Sequence, residues 1–188
     1  MAELLARLRR VPRRVVHRLY RQRALNALRR RPRFESLLVV CRGNVCRSPF
    51  AAALLRRFSR NQLRVDSVGF TAPGRPPPPE AVAAAARHGV DLSVHRSQLA
   101  TAESVLAADL IVVMDLTQRH EICIRFGRTE RDVLVLGDLD PQPIETRMIR
   151  DPMRQPLAVF EQTYARIERC VRELARAITA AEVMRDPP

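Results

Sequence analysis

Ser36–Pro49 reads SLLVVCRGNVCRSP, and three textures follow one another within it. Ser36–Val40 is a short, continuous apolar run, the pattern of a strand covered on both faces. It ends at Cys41. Ser48 and Pro49 then open a helix that runs to about Arg60, because Ser is a favoured N-cap and Pro a favoured first helical residue. Between strand and helix, five residues separate Cys41 from Arg47. A cysteine at the carboxyl end of the first strand sits where open α/β sheets bind ligands. The N–H groups of a loop entering a helix can converge on one anion, and the helix dipole adds positive charge there. Gly43 is expected to supply the unusual backbone angles of such a cradle, while Asn44 tolerates left-handed geometry. A thiol at that focus is favoured as its nucleophilic thiolate, and Arg47 can fork two oxygens of a tetrahedral dianion. The plainer reading, a structural cysteine ahead of an ordinary helix, fits less well with a buried strand before the loop and Ser-Pro after it.

Working outward, the alternation of strand and helix repeats. A second strand is predicted over Leu63–Val68, then a proline-rich loop (Ala72–Pro79, APGRPPPP) and a helix to about His88, stopped by Gly89. Asp109–Met114 (DLIVVM) predicts a third strand, Thr117–Phe126 a helix, and Val133–Leu136 (VLVL) a fourth strand. Leu157, Phe160, Tyr164, Ile167, Val171, Leu174 and Ile178 alternate spacings of three and four, which predicts a long final helix. The result is a three-layer α/β domain around a central parallel sheet of four strands, spanning residues 34–188. Residues 1–33 stand apart as an Arg-rich amphipathic extension of one or two helices. Leu4, Leu8, Val11, Val15 and Leu19 recur there at helical spacing, Pro12 is expected to break or kink the helix, and Pro32 closes the segment.

Composition narrows the function classes. With 188 residues, 46% of them hydrophobic, the chain can bury a full core. No apolar run approaches ~18 residues, so no spanning helix is expected, and the N-terminus lacks the apolar segment of a secretory signal. Four cysteines are too few for a disulfide scaffold and point to a reducing, cytoplasmic setting. The net charge of +13 is uneven: residues 1–33 hold 12 arginines against Glu3 alone, while the remaining 21 face 19 acids. That segment suits an anionic membrane surface at the inner face, with a loosely packed extension as the plainer alternative. Nucleic acid is disfavoured, since Tyr20 is the one aromatic before Phe34. A transit peptide is disfavoured by the absence of serine before Ser36. The histidines lack metal-ligand spacing and the acids are unclustered, so neither metal nor cofactor is expected. Cys46 reads either as packing or as a redox partner of Cys41, and Cys123 and Cys170 read as core. His95 reads as a satisfied structural histidine, with a part in fixing the loop as the alternative.

VVCRGNVCRSP resembles the phosphate-binding loop of low-molecular-weight protein tyrosine phosphatases. The similarity continues through DSVGF (Asp66–Phe70), RHGVDLSVHRSQL (Arg87–Leu99), DLIVVMD (Asp109–Asp115) and RDPM with its following helix, from residue 36 to about 178. The resemblance implies a metal-free phosphomonoesterase that hydrolyses phosphotyrosine in protein substrates through a phosphocysteine. It makes Cys41 the nucleophile and Arg47 the residue that binds phosphate and stabilises the transition state. Arg42, Gly43, Asn44, Val45, Cys46 and Ser48 complete the phosphate-binding loop; Ser48 would steady the thiolate, and Asn44 and Ser67 would orient the loop. The general acid belongs to an Asp-Pro pair ahead of the last helix. Asp140-Pro141 and Asp151-Pro152 both qualify, and the spacing to Phe160 favours Asp151. The chain departs from the family at Met153 and Arg154, where aromatic residues usually wall the substrate slot, and at Phe70, which a polyproline stretch follows. A protein-arginine phosphatase is the alternative, although such relatives tend to carry Thr where Val45 stands. An arsenate reductase needs two further cysteines on a mobile segment, and residues 71–122 contain none. A non-catalytic phosphate-binding module is disfavoured by the joint presence of Cys41, Arg47 and Asp151.

Overall fold

The computed structural model describes residues 13–31, 33–59 and 63–183. Strands β1 (Ser36–Cys41), β2 (Arg64–Gly69), β3 (Leu110–Val113) and β4 (Val133–Val135) form one parallel sheet in the order β2-β1-β3-β4. Val39 pairs with Ser67 on one side and Val112 on the other. The chain leaves β1 towards β2 and returns on the opposite side as β3. Their carboxyl ends therefore part at a topological switch point, which is where the loop after Cys41 begins.

Period-two alternation divides β1 between two cores. Leu37, Val39 and Cys41 face a large cluster built with α2 (Arg47–Phe58), α3 (Pro79–Ala86) and α6 (Leu157–Val183). Leu38 and Val40 face a smaller one with Val105 of α4 (Ala102–Leu106) and Ile122 of α5 (Leu116–Phe126). These are the three layers expected from the alternation of elements. Two short 3-10 turns, Glu130–Asp132 and Leu136–Leu139, flank β4. No helix among the described residues is long and apolar enough to cross a membrane.

Three expectations change. The helix after Cys41 begins at Arg47 with Cys46 as its N-cap, because the Ser48 hydroxyl turns inward to the Cys41 sulfur instead of capping. Helix α4 is an addition; five residues give no periodic signal, and it is fixed by a reciprocal cap between Thr101 and Ser104. The third change concerns the basic extension. Its described part is one helix, α1 (Arg13–Arg29), with Leu25 and Leu28 buried in the main core and Leu19 56% exposed. The expected stripe of Leu4, Leu8 and Val11, and the prolines Pro12 and Pro32, lie outside the described residues, as does the Val15 side chain. Helix α1 runs beside α6 in the same direction, with His17 near Arg166 and Arg21 paired with Glu173. Just beyond it, Arg31 donates to the Asp109 carbonyl at 3.0 Å and to the Asp132 carboxylate at 3.0 Å. The described part of the extension, residues 13–31, thus packs on the core that the later residues build.

Candidate active site

The loop after β1 folds back around its own cysteine. Cys41 is 2% exposed; its Sγ lies 3.1 Å from the Ser48 hydroxyl and receives the Asn44 backbone N–H at 3.3 Å. Asn44, with φ of 48°, takes the left-handed turn, whereas Gly43 does not. The expectation that Gly43 supplies the strained angle is thus corrected: the short amide of Asn44 can hold that geometry with local hydrogen bonds.

Asn44 is wholly buried and ties three elements together. Its Nδ2 donates to the hydroxyls of Ser48 and Ser67, both at 2.9 Å, and its Oδ1 accepts the Gln98 N–H at 2.8 Å. With an amide proton on the Ser48 oxygen, the Ser48 hydroxyl proton has two acceptors in reach, the Cys41 sulfur at 3.1 Å and the Val68 carbonyl at 3.4 Å. His95 Nε2–H donates to the Asn44 carbonyl at 2.7 Å, so this histidine does help fix the loop. Gly69, at the end of β2, lies so close beneath the loop that a Cβ there would sit 2.8 Å from the Asn44 nitrogen and 2.9 Å from the Arg42 carbonyl oxygen. Tyr164 of α6 stacks on Phe50 and donates to the Cys46 carbonyl at 3.1 Å, supporting the loop from below. Burial, then the proximity of Cys41, pushes the Cys46 thiol well above its ordinary pKa, so it stays protonated at neutral pH.

Arg47 is 3% exposed. It donates to the Ile149 carbonyl at 3.1 Å and forms an ion pair with Asp151. Its buried Nε–H has no partner among the described residues. The backbone N–H groups of Gly43, Val45 and Cys46 likewise donate to no protein acceptor among the described residues. Cys41, Arg42, Gly43, Val45, Cys46, Arg47 and Asp151 line one cavity of about 160 Å³ together with Thr71, Arg75 and Met153. Asn44, Ser48 and Ser67 lie beneath it. Asp140 is elsewhere: it is completely buried, between Arg166 and Arg169 of α6. No aromatic side chain among the described residues lines the cavity.

The arrangement offers one nucleophilic sulfur, a set of unused N–H donors around it, and a carboxyl group at the mouth. Such a site can accept a tetrahedral oxyanion and displace a group from it. Sequence reasoning missed Gly69, Thr71, Arg75, the Gln98 backbone and the supporting role of Tyr164. Of these, only the glycine ending a strand in DSVGF carried a readable signal.

Residues 36–185 match the sequence profile of the family described as low molecular weight phosphotyrosine protein phosphatase. The chain is 44% identical over 138 residues to a probable low molecular weight protein-tyrosine-phosphatase, EpsP, of Ralstonia nicotianae, covering 73% of this chain and 91% of that protein. It is 32% identical over 151 residues to the low molecular weight protein-tyrosine-phosphatase Wzb of Escherichia coli K12, covering 80% and 99%. Among solved structures, the tyrosine phosphatase AmsI of Erwinia amylovora superposes with a TM-score of 0.72 at 28% identity, over 79% of this chain and 95% of that one. The YwlE arginine phosphatase of Geobacillus stearothermophilus gives a TM-score of 0.73 at 26% identity, over 82% and 99%.

Proposed function

The chain belongs to the low molecular weight phosphotyrosine protein phosphatase family, and from that premise we propose that Cys41, Arg47 and Asp151 divide its chemistry. It is a cysteine-dependent protein-tyrosine phosphatase acting on phosphorylated proteins. In the reading we put forward, phosphate enters the loop of Arg42, Gly43, Asn44, Val45, Cys46, Arg47 and Ser48. Its oxygens take the unused backbone N–H groups and the guanidinium of Arg47. The Cys41 thiolate attacks phosphorus as the bond to the tyrosine oxygen breaks, and Asp151 gives its proton to the departing phenolate. In the second step the Asp151 carboxylate accepts a proton from water. The oxygen of that water bonds to phosphorus, the S–P bond breaks, and inorganic phosphate leaves. Ser48 steadies the returning thiolate by donating to its sulfur, with Asn44 and Ser67 holding Ser48 in place.

The observation that carries this reading is the buried Arg47 Nε–H without a partner among the described residues, beside the Cys41 sulfur and the carboxyl of Asp151. A buried guanidinium donor is costly to leave unsatisfied unless an anionic ligand completes it. The test is a Cys41→Ser variant, which should lose turnover of phosphotyrosine while still binding vanadate. Asp151→Asn should slow poor leaving groups most, since these need the proton. Kinetics on phosphotyrosine and phosphoarginine side by side separate the arginine phosphatase alternative, and near wild-type turnover by Cys41→Ser would refute the mechanism.

For the basic segment, residues 1–33, we propose contact with an anionic membrane surface from the cytoplasmic side. Exposed Arg18, Leu19, Arg23 and Arg29 of α1 and Arg30 just after it, with no acid among them, support this reading. Co-sedimentation with anionic vesicles should weaken as salt rises, and no sedimentation at low salt would refute it.

A further inference from the structure

The mouth of the slot is cationic, and the backbone of one of its arginines is held rigidly. Arg75 lines the cavity together with Arg42. It stands on the loop between β2 and α3, and a single buried residue, Ser97, pins that loop four times. The Gly74 N–H donates to the Ser97 carbonyl at 2.7 Å, and the Ser97 N–H to the Arg75 carbonyl at 2.9 Å. The Arg75 N–H donates to the Ser97 hydroxyl at 3.0 Å, and that hydroxyl to the Ala72 carbonyl at 2.9 Å. Gly74 makes the turn with φ of 77°. Immediately afterwards come Pro76, Pro77, Pro78 and Pro79, extended at Pro78 with φ −66° and ψ 155°. Proline fixes φ and stiffens such a run. The backbone of Arg75 is therefore immobilised from both sides.

Its guanidinium is not neutralised. It reaches the Thr71 hydroxyl at 3.5 Å, and no carboxylate among the described residues pairs with it. Several arginines elsewhere are paired with acids: Arg147 with Asp138, Arg166 and Arg169 with Asp140, Arg128 with Asp132. At the mouth, Arg42 and Arg75 have no acidic partner among the described residues, and the Asp151 that lines the same cavity is already taken by Arg47. Thr71 and Met153 occupy the sides of the slot, where an aromatic wall would otherwise recognise a phenol ring. What the rim presents instead is positive charge just outside the phosphate cradle, on a fixed stretch of backbone.

We infer that the slot selects phosphotyrosines that carry a second oxyanion close by in the same substrate chain, and that Arg75 is the residue that reads it. The oxyanion is a carboxylate or a second phosphoryl group. The inference rests on the phosphatase reading above and adds the substrate class to it. Pre-organisation matters here: with the Arg75 backbone already fixed, closing an ion pair orders only the side chain and not the loop that carries it. An ion pair at a half-solvated rim discriminates chiefly between partners and does so in a salt-dependent way.

The test uses three fluorescent peptides with the same phosphotyrosine, flanked by glutamine, by glutamate or by a second phosphotyrosine. Dissociation constants are measured by anisotropy in the Cys41→Ser background, where nothing turns over. At low salt an anionic flank should tighten binding by about tenfold over glutamine, with the gap shrinking as salt rises. The anionic peptide that shows the gap identifies the source of the oxyanion. Adding R75Q should close the gap, and R75K should keep part of it. Three results would overturn the inference: no gap at low salt, a gap that survives R75Q, or an equal loss on all three peptides. The last would mean that Arg75 stacks on the phenol ring. Turnover of an aryl phosphate by the unaltered chain tests the phosphatase assignment separately, so its failure cannot be confused with failure of the binding preference.

Discussion

Both N–H donors and the carbonyl oxygen of the Asn44 amide are engaged, and its backbone turns left-handed between Cys41 and Arg47. The room for that turn is set by Gly69, on another strand. A methyl group in its place would meet backbone atoms of Arg42 and Asn44, which cannot yield as a flexible side chain would. Gly69→Ala should therefore cost ~1–3 kcal/mol of stability and, by shifting the loop, lower kcat about tenfold or more. Thermal unfolding and steady-state kinetics on an aryl phosphate check the two effects, and an unchanged kcat would show that the loop accommodates the methyl group. The contrast between Cys41 and Gly69 shows what a linear sequence can reveal. Cys41, Arg47 and Ser48 announce themselves because their chemistry depends on spacing within one loop. Gly69, Arg75 and the Gln98 amide matter through approach from other elements, and of the three only Gly69, ending the strand in DSVGF, is marked by its own neighbourhood. Of the two Asp-Pro pairs, spacing to Phe160 favoured Asp151, and the two occupy different environments: Asp151 at the cavity, Asp140 in a buried network with two arginines.

Strands β1 and β3 begin at a shared anchor, Asp109. Its carboxylate accepts the N–H groups of Glu35 and Ser36 at 2.8 and 2.9 Å and the Ser36 hydroxyl at 3.1 Å. Desolvation acts to raise its pKa, but these three donors outweigh it and the carboxyl is held below its ordinary value. A carboxylate with a depressed folded pKa stabilises the fold above the ordinary value of about 4 and loses that contribution as pH falls through the folded value. Asp109→Asn should lower stability by about 1 kcal/mol at pH 7, a modest figure because the residue faces solvent. The difference from wild type should close as pH falls below about 4. Urea midpoints across pH measure this, and a gap that persists in acid would assign the effect to geometry instead of charge. Elements with this kind of end-anchor were legible in sequence as strands, since burial on both faces leaves a continuous apolar run. Helix α4 was not, because a five-residue turn is held by the Thr101–Ser104 cap and shows no period.

For the molecule as a whole, the main surprise is how far the core extends beyond the family match at residues 36–185. Leu25 and Leu28, both ahead of that match, are buried with residues of α2 and α6. The charge of the first 33 residues was plain in the sequence, but which face of α1 would be covered depended on a partner helix far along the chain. Leu28→Ala should cost about 2–3 kcal/mol, read as a lower Tm, and a loss under about 0.5 kcal/mol would show that α1 contributes little to the core. The placement of α1 also gives the chain a polarity. Val16, His17 and Tyr20 border a cavity with Asp115, Thr117 and the stretch from Ile144 to Met148, at the carboxyl end of the sheet. Arg31, after the helix, is tied to Asp109 and Asp132 at the opposite end. Helix α1 thus starts at the catalytic pole and leads away from it, as α6 does. A tether attached at the start of α1 would hold the substrate slot next to its anchor point, and phosphotyrosines fixed to the same support would meet the enzyme at the raised effective concentration of an intramolecular encounter.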